Sequence, residues 1–104
     1  MPKYEVFVSK SAEKDLKGLS EYISFNLLEP NIAKQFISKI DKAILSLEDY
    51  PYRCPLVQDE IIREIGIRKL IVNGCIIFFK INEEKKRIGI LRIIKGNRNW
   101  QKMI

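Results

Sequence analysis

The sequence predicts an α+β domain in the order β-α-α-β-β-β, an antiparallel sheet covered on one face by an α-helical hairpin. Three observations predict it. Apolar residues recur at three- and four-residue steps from Leu16 to Leu47, with one break at Pro30. Strand-like runs rich in isoleucine follow from Gly66 to Ile94. Between two of those runs stands Asn73-Gly74, a hairpin signature because a type I′ turn needs positive φ at both central residues. At 104 residues the chain is read as one domain spanning 1–104.

Taken in order, Tyr4-Glu5-Val6-Phe7-Val8 is short and β-prone, a first strand whose place in the sheet the residues leave open. Ser9 and Ser11 both offer an N-cap to the helix that follows, and Glu13 and Asp15 put acid near its start, where the helix dipole favours it. Leu16, Leu19, Ile23 and Leu27 form one apolar stripe, which Gly18 interrupts at a cost of about 1 kcal/mol relative to alanine. Pro30 disfavours helix in the residue before it and suits the first turn of a new one. The second stripe runs through Ala33, Phe36, Ile37, Ile40, Ile44 and Leu47, so the two helices should fold back on each other. Pro51 and Pro55 enforce a loop, and residues 56–66 are ambiguous, with Asp59 to Glu64 open to either a short helical turn or irregular chain. Residues 67–72, 75–81 and 87–94 are the last three strands, with a polar turn at 82–86.

Composition narrows the chemistry. Hydrophobic residues make up 46% and charged residues 31%, a globular balance. No apolar run approaches the ~20 residues of a membrane span, and the N-terminus lacks a signal-peptide core, so a cytoplasmic location is expected. Cys54 and Cys75 have no metal or redox spacing and read as structural thiols. The absence of histidine removes the commonest metal ligand and general base, and with them His-dependent triads and His-pair ribonuclease mechanisms. No metal, nucleotide or redox cofactor is expected. The net charge of +6 is uneven: residues 1–60 carry 8 Lys/Arg against 10 Asp/Glu, and residues 61–104 carry 11 against 3. A basic excess confined to one half implies an anionic partner there.

Four stretches in sequence carry a resemblance. They are Val8-Ser9-Lys10-Ser11-Ala12-Glu13-Lys14-Asp15-Leu16, Gly66-Ile67-Arg68-Lys69-Leu70, Ile76-Ile77-Phe78-Phe79-Lys80-Ile81, and Ile90-Leu91-Arg92-Ile93-Ile94-Lys95-Gly96-Asn97-Arg98-Asn99-Trp100. Their order and spacing resemble the RelE/ParE superfamily of toxins from type II toxin–antitoxin (plasmid stabilisation) systems. That resemblance implies a cognate antitoxin whose tail wraps and neutralises the toxin, a partner that suits the basic C-terminal half.

The superfamily has two branches. RelE-like members are metal-independent endoribonucleases that cut mRNA on the ribosome, using cations near the scissile phosphate and a proton-transfer group. Carried over to this sequence, the arginine after the tail glycine matches Arg98. The arginine after the central hairpin glycine falls at Ile76, and the C-terminal tyrosine at or near Ile104, neither of which can serve. Lys69, Lys80, Arg92 or Lys95 would have to compensate. ParE-like members inhibit DNA gyrase by binding, carry a long helical hairpin and lack the ribonuclease groups. The span from Ser11 to Leu47 is long in that way, and the ParE-like reading is favoured.

Candidate target- or antitoxin-binding residues are therefore Arg68, Lys69, Lys80, Arg92 and Lys95 on the strands. Asn97, Arg98 and Trp100 join them from the tail. Each also has a structural reading: Arg92 can present its charge from the sheet or pair with an acid such as Glu64, and Trp100 can pack on the sheet edge. Glu83 to Arg87 read as a solvated turn, and Tyr50, Tyr52 and Arg53 as a loop. A non-toxic, small basic nucleic-acid-binding module is the third reading, although no helix-turn-helix, RRM aromatic pair or KH loop is present.

Overall fold

The computed structural model describes residues 3–27 and 30–96. Strand β1 (Glu5–Val8) leads into helices α1 (Lys10–Leu27) and α2 (Pro30–Ser46). A 3-10 turn (Pro51–Arg53) and a short helix α3 (Glu60–Ile65) follow, and then β2 (Ile67–Val72), β3 (Cys75–Asn82) and β4 (Arg87–Lys95). The expected α+β architecture and element order are present. Within the described residues, no helix is long and apolar enough to cross a membrane.

The sheet order is β1-β4-β3-β2. Strands β2, β3 and β4 form the antiparallel meander, and β1 joins the far side of β4 in parallel, so the sheet is mixed. A parallel pair needs a crossover, and here the helical hairpin and everything after it supply one. The β2–β3 turn has the expected geometry, with φ of 53° at Asn73 and 79° at Gly74.

Side chains alternate across the sheet and build two cores. Ile77 and Phe79 of β3 and Ile88, Ile90 and Ile93 of β4 face the hairpin, where they meet Ala12, Ile40, Ile44 and Leu47. Ile76 and Phe78 point the other way, into a second cluster with Val57, Ile62, Ile67 and Ile94. The register slips between Phe78, opposite Arg92, and Phe79, opposite Ile90, leaving Leu91 as the extra residue of a β-bulge. That bulge lets Ile90 and Ile93 share one core although they are an odd number of positions apart.

The segment left open by the sequence is a helix with a start and a stop. The Asp59 carboxylate accepts from the Ile61 and Ile62 amides at 3.1 and 3.2 Å, and Gly66 ends the helix at φ 89°. Ile62 anchors it on the second core. A bridge between Leu56 and Arg68, with bonds from Val57 N–H to Ile67 C=O and from Lys69 N–H to Pro55 C=O, covers the first half of the β2 edge.

Candidate functional site

Strand β1 pairs with β4 only as far as Ile90, which leaves the rest of the β4 edge to be met by α1. Ser9 makes the join. Its backbone N–H donates to Ile90 C=O at 3.0 Å, and its hydroxyl donates to Leu91 C=O at 2.9 Å while accepting from the Ala12 amide at 3.0 Å. Of the two serines that could cap α1, Ser9 is therefore the cap, and it also fastens the helix start to the strand. One and a half turns on, the Asp15 carboxylate accepts from Arg92 Nε at 2.8 Å, from Arg92 Nη2 at 3.0 Å and from the Ile93 amide at 2.9 Å. The bond to Asp15 raises the Arg92 pKa, so its charge is held at every accessible pH.

Beyond this joint α1 and β4 diverge and leave a cleft of about 420 Å³, lined by Lys14, Asp15, Gly18, Leu19, Tyr22, Ile93, Ile94 and Lys95. Its floor is apolar and its rim carries Lys14 and Lys95. The Lys95 ammonium lies 4.8 Å from the centre of the Tyr22 ring, a cation–π contact across the mouth. Gly18 keeps the wall low: a β-carbon there would meet nothing within 4 Å. An open groove with an apolar floor and lysines on its rim is suited to a peptide that offers both aliphatic and acidic side chains.

Of the strand cations, Lys95 lines this cleft, whereas Arg92 reaches it only through its pair with Asp15. Lys69 lies in the same cross-strand row as Arg92, on the other side of Phe78, and Lys80 is diagonal to Lys69 on the sheet face turned away from the hairpin. Arg68 is diverted: it donates to Cys54 C=O at 2.6 Å and stacks on Tyr52, 5.0 Å from the ring centre. Asn97, Arg98 and Trp100 lie outside the described residues. A smaller hollow of about 380 Å³ opens beside the β2 edge, lined by Arg53, Cys54, Pro55, Lys69, Leu70 and Ile71. There Arg53 is occupied in closing the end of α2, donating to the carbonyls of Asp49 and Tyr50 and to the Ser46 hydroxyl.

Sequence reasoning missed the helix side of the cleft. Asp15, Gly18 and Tyr22 stand three and four residues apart and so share one face of α1, a spacing that could have found them. The partner of Arg92 is Asp15 and not Glu64. Also unforeseen is a cluster at the β3–β4 turn, where Tyr4 and Tyr52 donate to Glu83 at 2.6 and 2.8 Å and Lys86 pairs with the same carboxylate. Hydrogen bonds from Lys86, Tyr4 and Tyr52 lower the Glu83 pKa to about 2. The thiols of Cys54 and Cys75 are buried, which raises their pKa values and keeps them unreactive.

A mixed sheet backed by a helical hairpin, with a lysine-rimmed groove between helix and strand, is an architecture that solved structures share. The chain superposes on the chromosomal ParDE system of P. aeruginosa with a TM-score of 0.74 at 20% identity, over 91% of this chain and 98% of the other. It also superposes on the toxin–antitoxin complex RelBE2 of Mycobacterium tuberculosis, with a TM-score of 0.64 at 19% identity, over 89% and 98%. No curated protein sequence matches. The family model described as ParE toxin of type II toxin–antitoxin system, parDE, matches residues 6–100, and the chain belongs to that family.

Proposed function

We propose that this chain is a toxin that acts by binding DNA gyrase and is neutralised by an antitoxin seated in the α1–β4 cleft. The observation that carries the binding reading is at Ile76. The residue at the position of the superfamily's ribonuclease arginine is an isoleucine buried at 9% exposure in the second core, where no cation can be substituted for it without unpacking the sheet. Arg92, the strand arginine nearest the tail, is already committed to Asp15. The parDE family match supports a toxin with a dedicated antitoxin, and the lysine-rimmed cleft supports an acidic, amphipathic segment as the part that docks. Arg98, with Asn97 and Trp100, is proposed to extend the target-binding surface from the tail.

Inducing the chain in bacteria and following DNA breaks, the SOS response and mRNA integrity together tests the reading. Gyrase-dependent breaks with intact mRNA are expected, and Arg98→Ala should weaken them while leaving the fold intact. Codon-positioned mRNA cuts without DNA breaks would overturn gyrase binding in favour of ribosome-dependent RNA cleavage.

A further inference from the structure

The sheet face turned away from the hairpin is covered by α3 at the β2 end, where Ile62 meets Ile67. At the other end one row of residues runs across the strands: Phe7 of β1 is opposite Gly89 of β4, and Gly89 is opposite Lys80 of β3. Phe7 is 47% exposed although it sits within a strand, and Lys80 is exposed. The Arg87 guanidinium lies 5.3 Å from the centre of the Phe7 ring. Lys69 stands diagonally from Lys80 on the same face, a neighbour at about 7–8 Å.

Gly89 is the informative residue. A glycine inside a strand marks a bulge, a positive φ, a close neighbour or an approaching ligand. The bulge of this sheet falls at Phe78/Phe79, and Gly89 is not among the residues with positive φ. A β-carbon built on it would meet nothing within 4 Å. The fold therefore does not need glycine here. What its absent side chain leaves is a flat step between Phe7 and Lys80, which stand two strands and so about 10 Å apart.

We infer that this step is a stacking platform for a single strand of nucleic acid. An unstacked base lies over Gly89 against the Phe7 ring, with the flanking phosphates on Arg87, Lys80 and Lys69. Three cations on this patch stand against one carboxylate, Glu5 opposite Arg87, so the patch is net positive. Aromatic stacking with flanking cations binds any sequence, because every base has a π-face. The platform uses none of the cleft or tail residues on which the gyrase and antitoxin reading rests, and of the strand cations named as target-binding candidates it takes only Lys69 and Lys80.

The test is fluorescence anisotropy of the full chain with a labelled ten-nucleotide thymidine oligonucleotide, and with the RNA of matching sequence. Binding is expected with Kd in about the 1–100 μM range at low salt, weakening with added salt at a log–log slope of about 2 for the three cations. Gly89→Val fills the step with a residue that strands favour, and Phe7→Ala removes the stacking ring. Each should weaken binding about tenfold with an unchanged circular dichroism spectrum. No binding by the unaltered chain would overturn the inference. So would binding that both variants retain in full, since that would place the contact elsewhere on the molecule.

Discussion

Asp15 holds Arg92 with both carboxylate oxygens, at 2.8 and 3.0 Å, and takes the Ile93 amide at 2.9 Å with one of them. One acid on the helix thus stands in for the strand that β1 does not provide beyond Ile90. The side chains are only 16% and 23% exposed, so water cannot fully replace either partner. Asp15→Ala takes the carboxylate away from a half-buried guanidinium and a strand amide, and is expected to destabilise the domain by about 2–3 kcal/mol. For a domain of this size that is a drop in Tm of roughly 10 °C. A loss below about 0.5 kcal/mol in urea denaturation would show that the pair is ornamental.

Acid should loosen the β3–β4 turn before it unfolds the sheet. The folded Glu83 carboxyl titrates near 2, below its ordinary value of 4.5, because Lys86, Tyr4 and Tyr52 all favour its charged form. A depressed carboxylate contributes stability that is present above the unfolded pKa and is lost as pH falls from about 4.5 towards 2. At the other end, both tyrosines are raised above 10, first by their bond to Glu83, so their contribution is complete below pH 10 and is lost as the phenols ionise above it. Glu83→Gln should flatten both limbs of the stability–pH curve. Curves that superpose for the two proteins would remove the cluster from the account.

Phe79→Ala tests the hairpin-side core. Its ring is fully buried beside Ile77 and Ile90, and truncation should cost roughly 3–5 kcal/mol. That is a large part of the roughly 5–15 kcal/mol that holds a domain of this size, so the variant should be marginally folded at 37 °C. A Tm shift of only a few degrees would mean that the core collapses around the gap.

Periodicity made the local elements legible. The stripe through Phe36, Ile40 and Ile44 faces the sheet, and Asn73-Gly74 turns where its φ preferences demand. What the residues did not reveal is non-local. Nothing within Glu5–Val8 states that it pairs in parallel with Arg87–Ile90, and nothing near Arg92 names Asp15, a residue 77 positions away. Both depend on where the hairpin delivers β1 and the start of α1. The short helix α3 was ambiguous for another reason: at six residues its apolar pattern is too brief to show a period, and only the Asp59 cap and the Gly66 stop identify it.

Gly18 separates stability from binding. It sits inside α1, where glycine is worth about 1 kcal/mol less than alanine, and no neighbour requires it, because a β-carbon would enter open space over the cleft. Gly18→Ala should therefore raise stability by about 0.5–1 kcal/mol. Gly18→Leu should also fold at least as well as the native chain, but its side chain would stand in the groove between Tyr22 and Ile93. If the antitoxin seats there, titration calorimetry with the cognate antitoxin should show Gly18→Ala within about threefold of the native affinity and Gly18→Leu weakened by at least about tenfold, roughly 1.4 kcal/mol. A leucine variant that is stabilised and binds the antitoxin at full strength would move the docking site off this cleft. A stabilised variant that loses the antitoxin would show that the glycine is kept for the partner, at the expense of the helix that carries it.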